Sequence, residues 1–581
     1  MSLRVGAPLT TTICLTAVGC TVGQIGDLYG LGNLDAGDPR SADQYTGDAA
    51  GESGDSAGSS GDNAGSSGDN TGSSSDGAGD SGGGDPTECG NGTIEIGETC
   101  DPPASCPTSC DDEIVCTTDE LTGSPAGCDV ECHNDPITTC VHGDGCCPTG
   151  CIVSTDNDCL SELPSVEWRV SLDTGSTDVA GNVLGGTELR SLVVFDGELF
   201  AGNGYWMDTE GNPGAQVLTL DRPASEGGRW RQDLRLESHL LVSTMKTVTL
   251  ATDAQGTPLD TPENLLLAAG GWNRSPVTTH VRRVSGAWTE STISSTSCSA
   301  YARSIGMHRD KVTGADIVFV GVAGDPCPAR IYSGVYDAFE PSRIQWLGAE
   351  SWADTPADGD RVTSFSVVNN NLYATVCGKI FQRDDGADAS WRLVYQHPED
   401  SCPPTPGEIG FRGLTPTQDG THSMLAGLEN RGLMVRLSPQ GGTLDDTLEL
   451  NARTFLRDQW GHSSVGYTIL AYDGMLSIPL PGSGTRVVLI GLEARVSEGP
   501  AWHGWARGAW FIARFDDATY QLAEIVDPTV TPKPAMVATR AMVPSPFASE
   551  IGQVIYAGGF DANHVSDACH DTAWLYRGEF Q

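Results

Sequence analysis

Basic side chains are scarce in this chain. Lysine and arginine together number 33 against 77 aspartates and glutamates, a formal charge of -44 over 581 residues. Charge of that size repels nucleic acid and anionic membrane surfaces, so neither is an expected partner, although a local basic site remains compatible with it. Long apolar runs are missing too. No stretch after the N-terminus reaches the ~18 residues that a spanning helix needs. About fifty residues near the N-terminus hold almost no apolar side chains and cannot build a core. The chain also lacks a G-x-S-x-G elbow, an H-E-x-x-H helix and a phosphate-binding loop, which removes the familiar serine-hydrolase, zinc-protease and nucleotide-binding signatures.

Cysteine is abundant but unevenly placed. Of 19 cysteines, twelve fall between Cys89 and Cys159, a density that signals disulfides in an oxidising compartment. Before them the chain reads GESGDSA, GSSGDNA, GSSGDNT, GSSSDGA, with Asp55, Asp62, Asp69 and Asp76 at a seven-residue period. A coiled coil would need two apolar positions per heptad, and alanine is all there is. Glycine, serine and repeated like charge describe an extended flexible tether, with calcium binding by the aspartates as the alternative. The chain therefore divides into a leader (1–20), a disordered Gly/Ser/Asp-rich linker (21–87), a cysteine-rich module (88–160) and a large C-terminal region (161–581).

The leader carries Arg4, the short apolar segment ICLTAV and the small-residue site AVGC ending at Cys20. It resembles a bacterial lipoprotein signal. That resemblance implies an acylated Cys20, although Ala17 stands where leucine is usual; ordinary secretion is the alternative. The expectation is an exported protein, on the outer membrane and cell surface or secreted, that meets a membrane only through this lipid anchor.

Within the module, HGDGCCPTGC (142–151) sets His142 beside Cys146, Cys147 and Cys151, a spacing zinc could use. An even cysteine total in an exported chain favours disulfides. Twelve cysteines allow six bridges, whose pairing the sequence leaves open. Asp156, Asn157 and Asp158 are candidate calcium ligands or simply turn residues. The opening CGNG…E.GE.CD, the central SCPTSCDD and the closing GDGCCP.GC….DNDC resemble the cysteine-rich repeat of secreted and surface proteins of myxobacteria. The resemblance implies an extracellular spacer or adhesion-type module without a catalytic role.

The region 161–581 contains a repeated element. ELFAG, LLLAAGG, IVFVG, NLYAT, SMLAG, VVLIG and VIYAGG are strand-like runs ending in small residues, each followed by a further strand-like run. Five repeats then carry an aromatic: Trp230, Trp288, Trp346, Trp391 and Tyr520. Seven units of about sixty residues and about four strands each predict an all-β, seven-bladed β-propeller. The last unit ends after its third strand. VEWRVSL (166–172), with Trp168 at the outer-strand aromatic position, is expected to complete it and close the ring. Gly270–Gly271, Gly558–Gly559, the arginines opening several first strands and the closing tryptophans resemble kelch-type propellers, an architectural likeness that carries no function. Most repeats depart from it in showing one glycine or none. Cys298 with Cys327 and Cys377 with Cys402 are candidate disulfides; Cys569 has no evident partner.

Two sets of residues converge on the axial face of such a fold. Arg190, Lys246, Arg303, Arg412 and Arg540, with Arg361 nearby, stand near the starts of the inner strands. Tyr205, Trp206, Trp272, Trp502, Trp505 and Phe560 stand in adjoining loops. Guanidinium forks beside aromatic faces suit an anionic glycan or a protein segment. Buried hydrogen bonding between blades is the structural alternative for the arginines. The expected function is ligand binding or adhesion at a cell surface, without catalysis and without a cofactor unless calcium is bound. The alternative is an exported polysaccharide lyase or glycosidase whose acid pair is assembled from separate blades. The histidines and aspartates of HVSDACHD (564–571) could ligate a metal.

Overall fold

The computed structural model describes residues 89–91, 94, 98–112, 114–205, 214–237, 239–271, 276–295, 299–324, 328–356, 360–398, 410–418, 420–497, 501–502, 504–531, 536–561 and 571–581. They form two compact units. The smaller holds residues 89–112 and 118–135, and the larger holds 114–117 and 136–581.

The smaller unit has almost no apolar interior. Its buried cluster is Cys100, Cys106 and Val130, and the hairpin strands Thr117–Thr122 and Glu131–Pro136 are largely exposed. Three disulfides, Cys89–Cys128, Cys100–Cys106 and Cys110–Cys132, supply the constraint that a core would otherwise provide. Three more, Cys116–Cys146, Cys140–Cys151 and Cys147–Cys159, lie in the larger unit. Every candidate zinc thiolate of HGDGCCPTGC is therefore oxidised, and His142 Nδ1 accepts a hydrogen bond from the Asn157 amide at 3.0 Å. This stretch is anchored to the strands that follow: the Cys147 amide donates to the Ser483 carbonyl at 2.7 Å and the Leu160 amide to Thr485 Oγ1 at 2.8 Å.

From Glu188 onward the chain folds into successive antiparallel four-stranded meanders. The first is Glu188–Phe195, Glu198–Gly204, Ala215–Leu220 and Arg231–Leu236. The second is Leu241–Thr252, Pro258–Gly271, Val277–Arg283 and Trp288–Ser294. The third is Ser299–Arg309, Asp316–Gly324, Arg330–Tyr336 and Ile344–Ala349. The fourth is Val362–Val368, Asn371–Val376, Lys379–Asp384 and Ser390–Gln396. The fifth is Phe411–Pro416, Met424–Leu428, Leu433–Gln440 and Thr443–Asn451. The sixth is Val465–Pro479, Arg486–Val496, Ala509–Phe515 and Tyr520–Ile525. The last has three consecutive strands, Met536–Pro544, Val554–Asp561 and Trp574–Phe580, and takes its fourth from Val166–Leu172.

Each first strand packs against the first strand of the next meander, and that of the last packs against that of the first. The cycle closes, which makes the arrangement propeller-like. The small residues that end the second strands explain how the sheets approach. A Cβ on Gly202 would lie 2.8 Å from Val242, one on Gly321 2.6 Å from Val362, and one on Gly558 2.4 Å from Leu189, each on the inner strand of the next meander. The repeated glycine in the sequence thus marks sheet-on-sheet contact.

Closure rests on Trp168. It is 2% exposed, stands opposite Gly578, and fills the space a Cβ there would need. Its ring meets Phe511 edge-on at 6.2 Å. The fifth meander has no outer aromatic. A capped helix, Ala452–Trp460, follows it instead, with the Asn451 side chain accepting the Thr454 amide and Gly461 in the left-handed region. Ala452 and Leu456 are buried in the sixth meander's cluster, with Phe455 and Trp460 packed against it.

Candidate functional site

The inner strands share a fault in their pairing. In the first meander Leu189 and Ser191 pair with consecutive residues, leaving Arg190 as an extra residue. The same displacement falls on Ser243, Arg303, Thr363 and Arg540. Such a bulge bends the strand and redirects the side chain it carries. In the fifth meander the irregularity follows Arg412, with Gly413 at φ 61°. In the sixth it is larger: Ala471, Tyr472, Asp473 and Gly474 face the single residue Gly491. Ala471 at φ 52° and Gly474 at φ 153° turn this tongue out of the sheet.

The hydroxyls beside these bulges bond to the next meander. Ser243 Oγ donates to the Ala302 carbonyl at 2.7 Å, Ser304 Oγ to Val362 at 2.8 Å and Thr363 Oγ1 to Phe411 at 2.7 Å. These bonds fix neighbouring sheets at the radius where the arginines meet.

Four guanidinium groups converge on Tyr472. Their central carbons lie 3.7 Å (Arg540), 4.4 Å (Arg412), 5.0 Å (Arg190) and 5.5 Å (Arg303) from its ring centroid. All four arginines are buried. Arg412 is paired with Glu429, which also accepts from the Tyr467 hydroxyl at 2.5 Å. Arg540 reaches Glu493 at 2.8 Å and Glu188 at 3.4 Å, and Arg190 reaches Asp473 at 3.7 Å. Arg303 differs: its hydrogen bond goes to the Tyr472 hydroxyl at 3.4 Å, and it has no carboxylate partner among the described residues.

Electrostatics follow from burial opposed by pairing. Burial acts to raise Glu429, but Arg412 and Tyr467 overcome it and hold the carboxyl below its ordinary range. Burial raises Asp473, outweighing Arg190 and Arg303. Burial also acts to raise Tyr472, but the guanidiniums around it bring the phenol below its usual value. Asp473 and Lys246 are solvent-accessible, yet desolvation raises the first and lowers the second.

The other expected site residues are dispersed. Tyr205 is buried, its amide donating to the Leu240 carbonyl. Trp505 is half-buried, with Arg495 4.8 Å over its ring and Tyr467 edge-on at 6.1 Å. Phe560 is buried below Arg540 at 5.6 Å. Arg361 is half-buried and acts electrostatically on Glu429. Trp206, Trp272, the Trp502 side chain, Cys20, Cys298, Cys327, Cys402, Cys569 and all but Asp571 of HVSDACHD lie outside the described residues. Cys377 is disulfide-bonded. Asp144 joins Asp156 and Asp158 in a carboxylate cluster, but these oxygens accept backbone amides, Asp158 from Asp144 at 3.0 Å and Asp156 from Val141 at 3.3 Å. They build the turn.

The sequence alone did not single out Tyr472, Asp473 or the three hub glutamates Glu188, Glu429 and Glu493. The signal available was AYDGM, which makes the sixth inner strand longer than its counterparts, with Glu429 directly after the apolar strand Met424–Leu428 and Glu493 following the apolar run Val487–Leu492.

No family model matches this chain, and no curated protein matches it. Among solved structures, a protein from Lactobacillus plantarum aligns with 67% of this chain and 99% of its own at 11% identity and a TM-score of 0.36. A mutant of Aleuria aurantia lectin in complex with α-methyl-L-fucoside aligns with 60% of this chain and 98% of its own at 11% identity and a TM-score of 0.33. An auxiliary nutrient binding protein from Bacteroides thetaiotaomicron aligns with 72% and 78% at 8% identity and a TM-score of 0.33. Scores this low leave the fold resting on the chain's own strand pairing.

Proposed function

We propose that this chain is an exported surface protein whose seven-bladed, kelch-like propeller is a binding module, held away from a Cys20 lipid anchor by the acidic tether and the disulfide module. Its ligand is an anionic glycan or an acidic protein segment taken at the axial face where the inner-strand cations gather. One observation carries this reading: Arg303 and Lys246 are inner-strand cations with no direct ion pair among the described residues, Arg303 acting on Asp473 only at a distance, whereas Arg190, Arg412 and Arg540 each face a carboxylate directly. The paired arginines hold the hub, and the unpaired cations supply attraction in a chain otherwise strongly negative.

Titration of the full chain with oligogalacturonate and with sulfated galactan fragments, at low and physiological salt, tests this. Lys246→Ala and Arg303→Met are expected to weaken binding at least tenfold and to flatten its salt dependence. Unchanged affinity in both variants, or no binding of either probe at low salt, overturns it. Anchoring is separate: Cys20→Ser is expected to move the protein from the membrane to the soluble fraction.

A lyase or glycosidase reading draws on Tyr472 and Asp473, adjacent groups whose pKa values move toward each other. The same probes would then be cleaved, and Asp473→Asn would abolish cleavage.

A further inference from the structure

Hydrogen-bond donors outnumber acceptors on one side of the hub. Arg190 is 2% exposed and makes no hydrogen bond among the described residues. Its Nε is buried, and its ion partner Asp473 stands 3.7 Å away, beyond hydrogen-bond reach. Arg303, 6% exposed, donates to the Tyr472 oxygen at 3.4 Å, and the Tyr472 hydroxyl itself donates to no described residue. A guanidinium carries five N–H donors, and buried donors are almost always bonded.

Charge is uneven in the same place. Arg412 has Glu429, and Arg540 lies between Glu188 and Glu493. Arg190 and Arg303 act against each other, and both act on Asp473. Glu188 also acts on Arg190, but without an ion pair to it. Two buried cations thus share one carboxylate, which is itself open to solvent.

We propose that this side of the hub seats one small monovalent inorganic anion, a halide such as chloride, against Arg190, Arg303 and the Tyr472 hydroxyl. A bare anion accepts from every donor that meets it, so it takes the unbonded N–H edge of Arg190 and the phenol O–H together. Its single charge offsets the local excess of one cation. A dianion would overshoot that excess, and a pyranose would have to displace Tyr472 to reach a side chain as deeply buried as Arg190. Half-buried Tyr472 and exposed Asp473 give a single ion its way in. The seat does not rest on the glycan reading: a halide is titrated with no glycan present, so either can fail alone.

The test is a chloride titration of the full chain at constant ionic strength, sodium gluconate being replaced by sodium chloride up to about 0.5 M. Excess broadening of the chloride-35 NMR line is expected, removed by bromide but not by acetate. Arg190→Met should lose that broadening. Across the series the unsubstituted chain should also gain about 2–4 °C in melting temperature relative to Arg190→Met. Two variants carry the test if Arg190→Met fails to fold. Tyr472→Phe keeps the ring that the guanidiniums face and should weaken chloride binding about threefold to tenfold. Asp473→Asn removes the competing carboxylate and should tighten it. Equal broadening with and without Arg190, affinity unaltered in both other variants, or displacement by acetate as readily as by bromide overturns the proposal.

Discussion

Tyr472 is held by four guanidinium groups, and the carboxylates behind those groups make the arrangement sensitive to single substitutions. Arg412 and Glu429 are both buried, so Arg412→Met would leave Glu429 charged and without its ion partner. Removing one member of a buried pair costs about 3–5 kcal/mol, most of it the stranded charge. Chemical denaturation should show a loss of that order, with Arg412→Met/Glu429→Gln recovering most of it. Recovery fails if the arginine acts through packing on Tyr472 alone.

The buried histidines make a second residue-scale prediction. His239 and His280 stand with ring centroids 6.3 Å apart. Burial lowers both, and His280 further lowers His239, while Glu290 acts in the opposite sense on each. Below the ordinary histidine value of about 6.5 the unfolded chain binds more protons than the folded one, so stability falls as pH falls through that value. The melting temperature should hold steady above about pH 7 and drop toward pH 5.5. His280→Gln should flatten that drop; an unchanged slope would assign the acid sensitivity elsewhere.

At the scale of elements, the outer strand Val166–Leu172 is the one whose loss opens the ring. It precedes the first meander yet pairs with Trp574–Phe580, about four hundred residues later. Trp168→Ala removes a large buried side chain that fills the gap over Gly578, and should cost about 3–5 kcal/mol. Removing the whole strand would expose the edge of Trp574–Phe580, and light scattering should report self-association. A monomeric, undestabilised deletion variant would show that closure is held by the inner strands instead.

Element by element, what could be read early followed from period and size. Second strands such as Asp316–Gly324 are buried along their whole length and stand out as apolar runs. Outer strands stand out by Trp230, Trp346 or Trp391. The bulges at Arg190, Arg303 and Arg540 leave no such trace, because a displaced residue is defined by its partner strand. The same holds for the helix Ala452–Trp460, which replaces an outer aromatic with Leu456 and its neighbours. Lys246 stands near the start of its inner strand as the hub arginines do, but Ser243 occupies the bulge there and Lys246 pairs regularly with Leu267.

For the whole molecule, two units with different sources of stability should fail separately. The smaller unit depends on three disulfides around a cluster of two cysteines and a valine, each bridge typically worth ~2–4 kcal/mol. Reduction with dithiothreitol should therefore open residues 89–112 and 118–135 to protease at a temperature where 188–581 stays intact. Loss of both together would mean that the larger unit leans on its own disulfides, among them Cys147–Cys159 beside the contacts to Ser483 and Thr485.

The order of strands, the disulfide-dense module and the closing role of Trp168 are properties of local pattern: residue type, spacing and the length of apolar runs decide them, and these are written along the chain. Which charges meet is decided by folding alone. Arg412 and Glu429 are seventeen residues apart, but Arg190 and Asp473 come from the first and sixth meanders. No local pattern links them. A side chain that looks like a free cation in the sequence becomes a neutralised hub residue only when the ring brings a carboxylate to it, and burial then makes that pairing obligatory.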